Sequence, residues 1–391
     1  MSWVFVLLAA SLGVGLYAYL GYPLLLKLAG LLRSASPPLP PPNAEWPMIS
    51  ITVPVYNEAE GLAATLQNLL ALDYPTGRRQ ILVVSDASSD GTDDIVCRFA
   101  ARGVELLRLP ERRGKTAAEN AARPYLTGEI IVNTDASVRI HPRAVTHLVA
   151  AFVDPSVGVA SGCDVSVANL GDHTNPGEEA YVGYEMWTRE LETRVFGIVG
   201  ASGCLYAIRK DLHMRFLPDA LSRDFAAALA ARESGLRAVS VPQAVCFVPR
   251  SASLREEYRR KVRTVTRGLT TLFYKRALLN PARYGLFAWM LFSHKLCRWL
   301  VPWASLLVLG SLAALAPAVP WARTALWAAG VLGGLGGLGW LWTETKQMPR
   351  WLALPAYLVG GNIAVLRAWL RALGGEVAPV WEPTRRGAPA R

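Results

Sequence analysis

Between Met48 and Val159, apolar runs of strand length alternate with stretches of helical periodicity, which restricts the chain to few architectures. "ISITVPV" reads as a strand, and "EGLAATLQNLLAL" sets Leu62, Leu66, Leu69 and Leu70 at helical spacing. "QILVVSD", "VELLRLP" and "EIIVNTDA" read as further strands, separated by the helical stretches "TDDIVCRFAARG" and "KTAAENAARPYL". Strand–helix–strand repeats of this kind build βαβ units on a parallel sheet. The strands are apolar on both faces, as strands covered by helices must be. From 160 to 250, "LYAIRK" and "AVSVPQAVCFV" read as strands and "PGEEAYVGYEMWTRELETRVFG" as a helix. The expected class is α/β, a Rossmann-like mixed sheet.

The flanks of this region are different. The chain is 52% apolar over 391 residues, rich for a soluble protein. Trp3 to Leu26 carries no charge and is long enough to cross a hydrocarbon core. It lacks a basic start and a small-residue cleavage site, so it reads as an anchor and not as a removable signal. Lys27 and Arg33 follow it, which by the positive-inside rule sets the N-terminus outside and the α/β region in the cytoplasm. Five prolines between Pro37 and Pro42 make a stiff spacer. "SLREEYRRKVRTVTRGLTTLFYKRALL" is a basic amphipathic helix suited to an anionic membrane surface. "FAWMLFSHKLCRWL" reads as an interfacial lead-in, and Leu300–Leu315 and Thr324–Leu341 as spans. Trp351–Leu366 is short and holds Pro355, Gly360, Gly361 and Asn362. As a span it would put Arg385, Arg386 and Arg391 outside, so it is expected to be interfacial or re-entrant.

The expected organisation is therefore an N-terminal membrane helix (1–33), a linker (34–47), the α/β domain (48–253), basic interfacial helices (254–298), two spans (299–342) and a last membrane segment with a basic tail (343–391). A multi-pass protein of the cell inner membrane is expected, its catalytic domain cytoplasmic. The net charge of +11 fits lipid headgroups, because the arginines lie beside apolar runs; no nucleic-acid motif is present. The five cysteines form no CxxC pair and read as reduced, buried thiols. His141, His147, His173, His213 and His294 form no ligand cluster. "LGGLGGLG" reads as a close-packing face of a membrane helix.

Ligands of an open α/β sheet bind beyond the carboxyl ends of its strands. The first strand ends in "PVYNE", placing Pro54, Asn57 and Glu58 there. The second ends at Asp86, in "VVSDASSDGT", and the fourth at Asp135, in "NTDAS". "ERRGKTAAEN" puts Arg113, Gly114 and Lys115 at a helix start, whose free N–H groups favour phosphate. Three acidic strand ends and a basic helix start on one edge describe a site for a nucleoside diphosphate and a metal ion.

"TVPVYNEAEGL", "VVSDASSDGT", "GKTAAENAA", "VNTDAS", "GASGCLYAIRKDL" and "LSRDF" follow one another in the order and spacing of family-2 glycosyltransferases. The chain resembles their membrane-bound branch, which contains cellulose, hyaluronan and poly-N-acetylglucosamine synthases and ceramide glucosyltransferase. The resemblance covers residues 48–270. It implies a GT-A nucleotide-sugar-binding fold and inverting transfer of a hexose or N-acetylhexosamine from a UDP-sugar. The implied acceptor is lipid-linked or a polysaccharide, and polysaccharide-export subunits are an implied further partner.

It also implies roles. Pro54, Asn57, Glu58 and Asp86 would lie at the nucleoside and Lys115 near the nucleotide. Asp135 would hold Mg²⁺ or Mn²⁺, and Asp224 would be the general base. Gly203 and Cys204 would floor the acceptor site, and Arg260, Arg263 and Arg267 would face the acceptor or diphosphate. The chemistry demands such groups: cations must absorb the leaving group's charge, and a carboxylate must take the acceptor's proton. Two departures stand out. Ser137 replaces the second carboxylate of the DxD motif, and the QxxRW motif has Thr264, or in another register Gly268, in place of Trp. The missing Trp counts against one alternative, a processive exopolysaccharide synthase, and both departures motivate another, a catalytically weak partner subunit.

Overall fold

The computed structural model describes residues 1–31, 46–167, 176–249, 253–342 and 348–376. The proline-rich spacer, Arg33, His173 and the tail arginines lie outside the described residues. Eight strands form one sheet: β1 (Ile49–Val55), β2 (Arg79–Ser85), β3 (Val104–Arg108), β4 (Ile130–Thr134), β5 (Arg139–Ile140), β6 (Val157–Val167), β7 (Leu205–Arg209) and β8 (Arg237–Pro249). Their order is β3-β2-β1-β4-β7-β6-β8-β5.

The βαβ repeats produce the expected parallel half, with β1 pairing in parallel with both β2 and β4 and β2 with β3. β7 then enters antiparallel to β4 and to β6, while β6 and β8 run parallel. The antiparallel entry fixes the site. It brings the start of β7 beside the end of β4, with Leu205 opposite Thr134. The ends of β1, β4, β6 and β8 and the start of β7 thus share one edge. One core lies under the helices Ala59–Leu70 and Ala144–Ala150, where Leu62, Leu66, Leu69 and Leu148 are fully buried. On the other face, helices Lys115–Ala122 and Arg223–Glu233 pack Ala118, Ala122, Ala228 and Ala231 against Val84, Ile131 and Tyr206. Alanine there lets two helices approach the sheet closely.

Four helical segments are long and apolar enough to cross a membrane: Ser2–Leu31, Leu286–Leu315, Pro320–Leu341 and Trp351–Leu373. Two differ from the sequence reading. The lead-in "FAWMLFSHKLCRWL" is continuous with the helix after it. The segment expected at the interface is part of one 24-residue helix, Arg350–Leu373. Its small residues permit close packing and do not break it. A Cβ on Gly339 would sit 2.4 Å from Ala356 Cβ, and one on Gly361 would sit 3.0 Å from Lys261 Nζ. The basic helix Leu254–Tyr274 packs Val265 and Leu269 on Ala368 of that segment. Its apolar stripe thus has a protein partner.

The helix Pro176–Val195 joins the α/β domain to the membrane helices through buried charge. Glu185 accepts from Arg298 Nη1 at 2.7 Å and from Arg189 Nε at 3.2 Å. His294 bridges the two glutamates, with Nε2 3.0 Å from Glu185 Oε2 and Nδ1 2.6 Å from Glu192 Oε1. Tyr22 of the N-terminal helix donates to Glu192 at 2.5 Å. Burial alone would raise the Glu185 pKa, but His294, Lys295 and Arg189 outweigh it and hold it well below 4.5.

A depressed carboxylate pKa stabilises the fold above the unfolded value, and that contribution is lost as pH falls through the folded value. Thermal unfolding of the detergent-solubilised protein is therefore expected to show stability falling once pH drops below about 4.5. Glu185→Gln is expected to flatten this acid limb and to cost about 3 kcal/mol at pH 7, since it leaves buried cations unpaired.

Candidate functional site

A cavity of about 450 Å³ opens on the shared edge of the sheet. Pro54 and Glu58 line it from β1, Asp135 and Ser137 from the end of β4, Asp164 from β6, and Val248 and Pro249 from β8. Lys115 enters from the start of its helix, and Ser222 and Asp224 from the start of helix Arg223–Glu233. Arg260, Arg263 and Arg267 line it from the basic helix.

Lys115 is the hub of the polar floor. Its Nζ lies 2.5 Å from Asp135 Oδ1 and 3.0 Å from the Gly203 carbonyl. Burial disfavours its charge, yet the neighbouring Asp135, Glu119 and Asp224 outweigh this and raise its pKa. The Gly203–Cys204 loop reaches this point because β7 starts beside the end of β4. The Cys204 carbonyl accepts from Thr134 Oγ1 at 3.0 Å. Ser202 Oγ donates to Asp164 at 2.6 Å and accepts from the Cys204 N–H at 3.1 Å, fixing the loop from below.

Gly203 is a close approach. A Cβ there would stand 2.7 Å from Asp224 Oδ2. Asp224 accepts from Ser222 Oγ. The helix N-cap is Ser222, not Asp224, and it makes no side-chain capping bond. Beneath it, the buried Arg223 pairs with the buried Glu119 at 3.3 Å and donates to Asn120 and the His213 carbonyl. Burial, only partly offset by Lys115 and Arg223, raises the Glu119 pKa.

Two residues expected at the nucleoside make hydrogen bonds within the protein at the same sheet edge. Asp86 is fully buried, and its two oxygens accept from the Arg113 and Gly114 N–H groups at 2.7 Å each. It clips the start of the Lys115 helix to the end of β2. Asn57 Oδ1 accepts from the Ser89 N–H at 2.8 Å, and the Asn57 N–H donates to Ser88 Oγ at 3.1 Å. Neither Asp86 nor Asn57 is among the lining residues. "DASSDGT" is thus a turn that braces the edge, with Asp90 accepting from the Ala59 and Thr92 N–H groups at 3.0 Å each.

Arg260 is paired with Glu178 and Glu257. Arg267 donates to Thr116 Oγ1 at 2.7 Å and to the Leu221 carbonyl. It ties the basic helix to the starts of the Lys115 and Arg223 helices. Sequence reasoning missed Glu119, Asp164 and Glu178, and also Lys295 and Trp299, which reach the cavity from a membrane helix. An acidic residue inside the helical stretch "KTAAEN" was a usable signal for Glu119. Nothing local marks Trp299.

Residues 50–216 match the model of Glycosyl transferase family 2. A beta-monoglucosyldiacylglycerol synthase of Trichormus variabilis is 29% identical over 157 residues, 39% of this chain and 33% of that protein. An N-acetylglucosaminyltransferase of Mesorhizobium japonicum is 30% identical over 127 residues, 32% of this chain and 30% of that protein. The matched region spans about a third of the length of these curated relatives. Among solved structures, the mannosyltransferase PcManGT from Pyrobaculum calidifontis, in complex with GDP-Man and Mn²⁺, superposes with a TM-score of 0.72 at 24% identity, covering 95% of this chain and 99% of that one. The fold is that of GT-A glycosyltransferases flanked by apolar helices, and within it residues 50–216 match the family-2 glycosyltransferase model.

Proposed function

We propose that the protein is a membrane-bound inverting glycosyltransferase that moves a hexose or N-acetylhexosamine from a UDP-sugar to a hydroxyl of a lipid-linked or glycan acceptor. The observation that carries this reading is the convergence of Lys115, Asp135 and Asp224 on one cavity, with Gly203 between them. Lys115 meets a carboxylate and a carbonyl, and this counter-charge can be taken over by the donor's diphosphate. Asp224 stands across Gly203, and its Oδ2, the oxygen that Ser222 does not bond, can take the acceptor's proton. An attack assisted from one side of the sugar, with the diphosphate leaving from the other, inverts the anomeric centre.

A divalent cation fits this donor set. Asp135 offers a carboxylate and Ser137 a hydroxyl, and ions such as Mg²⁺ are bound through one or two carboxylates together with substrate phosphates. No group of three His, Cys, Asp or Glu side chains among the described residues is arranged to hold an ion, and the donor's diphosphate would supply further oxygen ligands. When bound, the ion supplies positive charge to the leaving diphosphate. A relative named as a glucosyldiacylglycerol synthase and the four apolar helices support a membrane acceptor, and the basic residues Lys27 and Arg33 after the first apolar run favour a cytoplasmic side for the domain.

The test is UDP release from the purified full-length protein offered a panel of UDP-sugars, with GDP-mannose as an added donor. One donor is expected to support release. Asp224→Asn is expected to lower it by about 10²–10⁴-fold with nucleotide binding intact, the usual worth of a general base. UDP binding without release from any donor would favour the partner-subunit reading, which Ser137 motivates. Gly203→Ala is expected to displace the Asp224 carboxylate and lower turnover about a hundredfold, with little change in nucleotide affinity. Chelation by EDTA is expected to abolish release, and Mg²⁺ or Mn²⁺ to restore it.

A further inference from the structure

The basic helix carries Arg267–Gly268, so its own sequence has no aromatic group at this wall of the cavity. The structure provides one from elsewhere. Trp299, on the membrane helix Leu286–Leu315, lines the cavity together with Asp224. A Cβ on Gly268 would stand 2.9 Å from Trp299 Cζ2 and Cη2. The absence of a side chain at 268 is therefore what admits the indole. Phe225, next to Asp224 in the chain, meets the ring edge-on, with centroids 6.1 Å apart and planes at 86°. The Trp299 carbonyl accepts from Trp369 Nε1 at 2.8 Å, which fixes its backbone to the last membrane segment.

An indole held between Gly268 and Phe225, half-buried and lining a polar cavity, is a surface for an amphipathic ring. A pyranose presents C–H groups on one face and hydroxyls at its rim. The C–H face gains by covering an aromatic face, and a rim hydroxyl can reach a carboxylate beyond it. We infer that Trp299 is the platform on which the acceptor's terminal pyranose stacks, holding its hydroxyl toward Asp224. Gly268 is then part of the acceptor site as the space that seats the indole. This rests on the transferase reading, and it assigns acceptor recognition to a membrane helix outside the family domain. Lys295, four residues earlier, lines the same wall.

The test is ligand binding by saturation-transfer NMR and titration, using full-length protein in lipid nanodiscs loaded with UDP. The probes are n-octyl glycosides of glucose, mannose and N-acetylglucosamine as lipid-borne rings, cellobiose as a free glycan, and dioctanoylglycerol as a hydroxyl lipid without a ring. Saturation transfer to ring protons of at least one glycoside or of cellobiose is expected, and which of them binds identifies the source of the ring. Trp299→Ala is expected to weaken that binding about fivefold to tenfold. Trp299→Phe should retain most of it, and Gly268→Ala should weaken it by displacing the ring. UDP affinity is expected to stay at the wild-type value throughout, which reports on the fold and on the transferase reading separately. Unchanged ring binding in Trp299→Ala, no binding of any pyranoside to the wild type, or equal dependence of dioctanoylglycerol on Trp299 would each overturn the inference.

Discussion

The carboxylate of Glu185 holds together two parts of the molecule that would otherwise have little reason to stay in register. It faces Arg189 on its own helix and His294, Lys295 and Arg298 on a membrane helix. Buried charges of this kind contribute little net stability, because desolvation offsets attraction, but losing one partner is costly. Their effect is to allow one arrangement. With the clamp in place, Lys295 and Trp299 form a wall of the cavity whose floor belongs to the sheet. The α/β domain and the apolar helix then line one cavity.

The floor follows from sheet topology. Parallel strands collect their carboxyl ends on one edge, and the antiparallel entry of β7 returns the chain to that edge at Gly203 and Cys204. Lys115 can then bridge the end of β4 and the start of β7 with a single ammonium. Asp86 and Arg267 act one layer out. One fastens the start of the Lys115 helix to β2, and the other fastens the basic helix to the Lys115 and Arg223 helices. Polar groups around the cavity are thus divided between those that face it and those that hold its walls.

Much of this was legible in the chain. The alternation from Met48 to Val159 determined the parallel half of the sheet, because only βαβ packing buries strands that are apolar on both faces. The acidic strand ends and the basic helix start determined which edge would carry the site. Motif position alone did not separate Asp135, which lines the cavity, from Asp86, whose oxygens are both taken by backbone N–H groups. The prolines and glycines of the last apolar run were equally ambiguous. The structure carries them within one continuous helix, where Ala356 sits against Gly339 and Gly361 against Lys261.

The sequence by itself therefore determined the elements, the binding edge and the residue types the chemistry needs, since these depend on periodicity and local backbone preference. Tertiary structure decided which side chains meet. The Gly203–Asp224 approach joins residues 21 apart in number, and the seating of Trp299 on Gly268 joins residues 31 apart. Such contacts depend on how helices cross and on which buried charges find partners, and no local pattern in the chain encodes them.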